Sequence, residues 1–139
     1  RRFAPEELLY GESGVRSWDR AVFNVELSGH RAGQASWHLE APVTLYGFAL
    51  WWCCELVPGI ELSTSPFAAP THWEQVYLPV MQPIAGRAGD EVSVEIASET
   101  GGGDGIGFRW QAVHRSGGRE ISREFRDLWR GFVGQDAPA

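Results

Sequence analysis

Asp90-Glu91-Val92-Ser93-Val94-Glu95-Ile96 alternates polar and apolar side chains with a period of two. Successive side chains of an extended chain point to opposite faces, so Val92, Val94 and Ile96 share a dry face while Glu91, Ser93 and Glu95 share a wet one. A helix would scatter these apolar groups around its circumference. Gly86 to Gly89 marks a turn before this strand. After it, Thr100 to Gly107 holds five glycines and reads as a surface loop.

The same periodicity extends outward. Ala21 to Ser28 alternates Phe23, Val25 and Leu27 with Asn24, Glu26 and Ser28, which predicts a strand, and Gly29 to Gly33 predicts the turn after it. Ala35 to Leu39 reads as a short strand. Val43 to Val57 is apolar almost throughout and too long for one strand, and Gly47 offers the bend. Pro58-Gly59 turns the chain, and Ile60, Leu62 and Thr64 alternate again. Pro66 and Pro70 lack the amide donor that a central strand needs, so Ser65 to Thr71 is expected to be a loop. Trp73 to Val80 and Phe108 to His114 predict further strands. Ser116-Gly117-Gly118 predicts a hairpin whose second strand runs to about Phe125, followed by a short helix or loop.

Short strands at near-regular spacing, without strand–helix alternation, indicate an all-β domain. The expected architecture is barrel- or sandwich-like, of antiparallel strands with short helical pieces at the termini. Residues 1–17 are expected to be a linker or the start of the domain, 18–133 the barrel, and 134–139 a disordered tail.

Composition narrows the function. The net charge is −6, and all basic residues are Arg. An acidic surface argues against nucleic acid, whose phosphates must be neutralised, and suits a cationic polypeptide. The longest apolar run contains Glu55 and is bounded by Pro42 and Pro58, which excludes a membrane helix. Cys53 and Cys54 are adjacent, so on a strand they point to opposite faces and cannot pair with each other. They are read as buried free thiols in a reducing cytoplasm, with no metal-ligand spacing. Gly101 to Gly107 lacks the spacing and the strand–helix context of a phosphate loop. His30, expected in a turn, and His38 and His114, expected in strands, are read as exposed or hydrogen-bonded rather than as ligands.

One segment stands apart. Leu62-Ser63-Thr64-Ser65-Pro66 is followed after four residues by Thr71-His72-Trp73-Glu74-Gln75. Two prolines stiffen a polar loop that carries an imidazole and an indole, which suits a loop that presents side chains to a partner.

This run resembles the Thr-His-Trp loop of the protein arginine methyltransferases. Gly47-Phe48-Ala49-Leu50-Trp51-Trp52 before it, and Leu78-Pro79-Val80 and Gly89-Asp90-Glu91 after it, agree with the same family, and the resemblance runs from about Trp18 to Arg115. It implies the C-terminal β-barrel of an S-adenosylmethionine-dependent enzyme. Its catalytic partner would be a Rossmann-like domain that carries the cofactor and the carboxylates gripping the substrate arginine. No cofactor- or metal-binding residue is expected in this chain, which alone is expected to be inactive. The resemblance implies that His72 pairs with an acidic residue of the other domain, as proton acceptor or orienting group, and that Trp73 walls the substrate pocket. Thr71 is expected to cap the loop beside the substrate. An arginine-containing protein or peptide would be the substrate, and a homodimer is possible within the family, although its helical dimerisation arm is not recognisable. The competing readings are a non-catalytic β-barrel that binds or scaffolds a protein, and a lectin-like sandwich.

Overall fold

A computed structural model describes residues 1–100 and 106–128. Among the described residues, two single 3-10 turns, Pro5–Glu7 and Gly11–Gly14, come first and the remaining regular elements are strands. In order these are β1 (His30–His38), β2 (Val43–Leu50), β3 (Cys53–Val57), β4 (Ile60–Ser63), β5 (Val76–Gly86), β6 (Glu91–Thr100), β7 (Ile106–Ser116) and β8 (Arg119–Leu128). They form a four-stranded sheet in the order β1-β6-β7-β8 and two-stranded sheets β2-β5 and β3-β4. The domain is all-β and barrel- or sandwich-like, although no sheet closes into a barrel among the described residues. It divides into two compact units, Arg1–Val15 with Tyr46–Pro83, and Arg16–Leu45 with Ile84–Ala139.

The second unit shows why alternation builds a sheet. The registers Ala35↔Val94, Val94↔Ala112 and Ala112↔Glu124 run across β1, β6, β7 and β8. The next row sets Gly33 against Ile96, and Ile96 against Trp110. Residues directly opposite share a face, so Val94, Ala112, Ile96 and Trp110 lie together, and all four are buried. Small and large side chains complement each other along these rows. Trp18 covers the same face and meets Phe108 edge-on at 6.3 Å. Fully burying each Val or Ile contributes about 1.5–3 kcal/mol. The β7–β8 hairpin closes through Gly117 and Gly118, with φ of 55° and 75°, the left-handed pair that such a turn requires.

Several expectations need correction. Residues 21–28 form no strand, although their pattern alternates, and Phe23 stands 76% exposed. Alternation makes a segment competent to pair but supplies no partner. The predicted turn at Gly29 to Gly33 is instead largely the start of β1, held at its base by the Thr100 amide donating to the Gly29 carbonyl at 2.7 Å. His30 is therefore a strand residue.

The long apolar run breaks at Trp51–Trp52, not at Gly47. Gly47 stays inside β2, where a Cβ would lie 2.3 Å from the Leu78 carbonyl oxygen, so its role is close approach rather than bending. Strand β5 starts at Val76, later than Trp73, and runs past Pro79 to Gly86. Cys53 is exposed rather than buried, its Sγ 3.3 Å from Glu61 Oε1, and that carboxylate pushes the thiol pKa up. β8 continues to Leu128, beyond Phe125. The glycine-rich loop between Thr100 and Ile106 and the proposed C-terminal helix and tail lie outside the described residues.

Candidate functional site

The Thr-His-Trp loop lies in the first unit, between β4 and β5. It is pinned at its start by Thr64, which is 2% exposed. The Thr64 amide donates to the Trp52 carbonyl at 3.0 Å, and the Trp52 amide donates to Thr64 Oγ1 at 3.2 Å. Ser65 Oγ accepts from the Phe67 amide at 3.1 Å, a local turn favoured by the hydroxyl. Thr71 Oγ1 donates to the Trp73 carbonyl at 3.1 Å. This bond shapes the loop tip and gives Thr71 a local capping contact.

Gln75, 7% exposed, locks the other end. Its Oε1 accepts from the Phe3 amide at 2.9 Å, and its Nε2 donates to the Thr64 carbonyl at 2.7 Å. Its backbone exchanges bonds with Arg1 in both directions, at 2.8 and 3.1 Å. Arg2 Nη2 donates to the Thr71 carbonyl at 3.0 Å. The N-terminal segment thus straps the loop along its length. A buried amide with both ends satisfied fixes one geometry, because releasing either partner leaves a desolvated polar group costing about 1–3 kcal/mol.

Held this way, the loop projects its rings outward. Trp73 is 52% exposed and His72 is exposed. The two rings meet edge-on at 6.3 Å. Trp52 approaches Trp73 from the β2–β3 junction, at 5.8 Å and a 60° tilt, and is itself 43% exposed. The surface therefore presents an imidazole and two indoles together. Among the described residues, His72 forms no hydrogen bond or ion pair. Trp51, beside Trp52 in sequence, turns away and packs edge-on against Phe67 at 6.2 Å.

His72, Trp73 and Thr71 are thus adjacent on one exposed loop, while His30, His38 and His114 belong to the other unit. Trp52 and Gln75 were not singled out in the sequence as working parts of this loop. Trp52 sits twenty-one positions before Trp73 in sequence, and Gln75 reads as one more polar residue of an exposed run. Among the described residues, no cluster of three His, Cys, Asp or Glu side chains is placed to hold a metal ion. Nor do they include an α-helix, so no strand–glycine turn–helix unit of the kind that holds an adenosine cofactor is present among them.

Among the described residues the domain is all-β and displays a clamped imidazole–indole loop. Residues 12–102 match the family model described as the arginine methyltransferase oligomerization subdomain, which covers well over half of the chain. The chain belongs to that family.

Proposed function

We propose that this chain is the substrate-side domain of a protein arginine methyltransferase, acting in the cytoplasm with a separate Rossmann-like domain. That domain would bind S-adenosylmethionine, the methyl donor, and supply the carboxylates that grip the substrate. One observation carries the reading: His72 and Trp73 stand exposed on a loop that Gln75 and Thr64 hold in place, with Trp52 of the β2–β3 junction exposed beside them.

The chemistry fits an arginine side chain. A guanidinium keeps its charge at any physiological pH, so it must be bound as a cation. An indole face attracts a cation by about 0.5–2 kcal/mol, depending on desolvation. Trp73 is assigned as a wall of the arginine pocket, and Thr71 as the residue that sets the loop tip beside it. His72 is assigned as the partner of an acidic residue on the catalytic domain, where it orients the pocket or accepts the proton released on methylation. Rigidity matters because misplacing a reacting group by about 1 Å can cost about a hundredfold in rate.

The test uses the enzyme that carries this chain. His72→Ala and Trp73→Ala are expected to lower turnover on an arginine peptide by at least about tenfold. The thermal midpoint should hardly move, because both side chains are exposed. Unchanged turnover, or a large loss of stability with activity retained, would make the loop structural.

A further inference from the structure

A path of hydrogen bonds joins stretches of the first unit that lie far apart in sequence. Gln75 Oε1 accepts from the Phe3 amide at 2.9 Å, and Gln75 Nε2 donates to the Thr64 carbonyl at 2.7 Å. Thr64 exchanges bonds with Trp52 in turn, its amide donating at 3.0 Å and its Oγ1 accepting at 3.2 Å. Gln75 and Thr64 are both buried, so these bonds form out of water. The path therefore runs from Phe3 through Gln75 and Thr64 to Trp52. Trp73 precedes Gln75 by one residue, so the 5.8 Å separation of the Trp52 and Trp73 rings is set by the two arms of this path.

The end of the path at Phe3 is itself stiff. Pro5 opens a 3-10 turn, and the amide of its N-cap, Ala4, donates to Glu7 Oε2 at 2.7 Å. Arg1 pairs with Glu7 and lies over the Phe3 ring, 4.3 Å from its centre. Phe3 is buried, and its ring meets Tyr77 of β5 at 5.6 Å. Arg2 adds its bond to the Thr71 carbonyl. Arg1 to Glu7 thus splints the loop at both of its ends.

The head group at Gln75 is narrowly specified. The Phe3 amide needs an acceptor there, and the Thr64 carbonyl needs a donor. A carboxamide carries both on one planar group. A head group lacking either leaves a buried partner unmet, which costs more than the bond itself is worth. Gln75 is two and three residues from the exposed rings of Trp73 and His72, and it acts on them through the backbone of the loop.

We propose that Gln75 is a positioning residue for the arginine pocket, keeping His72, Trp73 and Trp52 in register with the segment Arg1–Phe3. The inference rests on the function proposed above and adds to it a residue that touches no substrate. It also makes Arg1–Phe3 a handle on the loop, since a shift of this segment is passed to both indoles.

The test uses the enzyme that carries this chain, assayed well below its thermal midpoint. Gln75→Met keeps the length of the side chain and removes both bonds. It is expected to lower kcat on an arginine peptide by about tenfold or more and to change KM less, because a misplaced group acts on the chemical step. Gln75→Glu gives a second arm that does not depend on Gln75→Met folding. Its neutral carboxyl accepts from the Phe3 amide and donates to the Thr64 carbonyl, whereas its ionised form only accepts. Burial against that carbonyl pushes the introduced carboxyl above its ordinary value of about 4.3. The stability deficit of this variant is therefore largest at alkaline pH and closes as pH falls through the raised value. Charged and titratable groups reach this region from the strap (Arg1, Arg2, Glu7), the loop (His72, Glu74) and β5 (Tyr77). Wild type carries them all, so thermal midpoint and kcat are both read relative to wild type at each pH. The kcat of Gln75→Glu should recover along with its stability. Full kcat in Gln75→Met, a deficit indifferent to pH, or stability that recovers while kcat stays low overturns the proposal. Full activity in Gln75→Met beside impaired His72→Ala and Trp73→Ala sinks this inference alone, whereas full activity in all of them sinks the function on which it rests.

Discussion

Asp90 is a charge buried in the turn before β6. It is 3% exposed, and its carboxylate accepts from the Arg87 amide at 2.9 Å and from His114 Nε2 at 2.8 Å. Hydrogen bonds from Ser116 first, then His114 and the Arg87 amide, lower its pKa from 3.8 to about 2. The folded state therefore favours the ionised form. Its contribution to stability is fully present above about pH 4 and is lost as pH falls through about 2. Asp90→Asn is expected to be less stable than wild type at neutral pH, and the gap should narrow as pH falls through that window, as read from thermal midpoints. A gap of constant size would mean that shape rather than charge holds the turn. At this scale the sequence was legible where chemistry is local. Thr71, His72 and Trp73 stand out because they follow directly on a polar segment stiffened by Pro66 and Pro70. Asp90 and Gln75 did not, because their partners lie 24 and 72 positions away. Nothing in a linear pattern marks a polar residue that closes such a loop.

At the scale of elements, β6 was legible because its alternation gives a dry face of Val92, Val94 and Ile96 and has neighbours on both sides, although Ser93, expected on the wet face, is buried between them. Residues 21–28 carry an equally good pattern and form no strand, since pairing depends on where the rest of the chain goes. The break at Trp51–Trp52 was missed because glycine signals a bend and a close approach alike. Glycines of the second unit separate these meanings. At Gly33 a Cβ would lie 1.7 Å from the Trp18 carbonyl oxygen, and at Gly86 it would lie 2.1 Å from Leu39 Cδ1. The overlaps are similar, but the first obstacle is backbone and the second is the end of a side chain that can rotate. Gly33→Ala is expected to exceed the usual overpacking cost of about 1–3 kcal/mol, because Trp18 must leave the sheet, while Gly86→Ala should stay within it. Urea denaturation of both variants measures the difference. Equal costs would mean that the Trp18 segment yields as easily as a leucine side chain.

Across the whole molecule the charge is unevenly shared. The unit that bears the Thr-His-Trp loop has two arginines, Arg1 and Arg2, against six glutamates: Glu6, Glu7, Glu12, Glu55, Glu61 and Glu74. It thus holds four of the six net negative charges, although it is the smaller of the two units. A cationic peptide approaching the chain is drawn toward the unit that displays Trp73 and His72. Such steering acts over the screening length, about 30 Å at 0.01 M salt and about 8 Å at physiological strength. It raises the rate of encounter more than it lengthens the life of a complex. Association of an arginine-rich peptide, followed by the fluorescence of the exposed Trp52 and Trp73, should therefore slow by about tenfold or more between those two salt concentrations. Dissociation should change much less. An association rate indifferent to salt would leave the acidic surface with solubility as its only role. A dissociation rate carrying most of the salt dependence would instead place the peptide's charges in close ion pairs within the bound state.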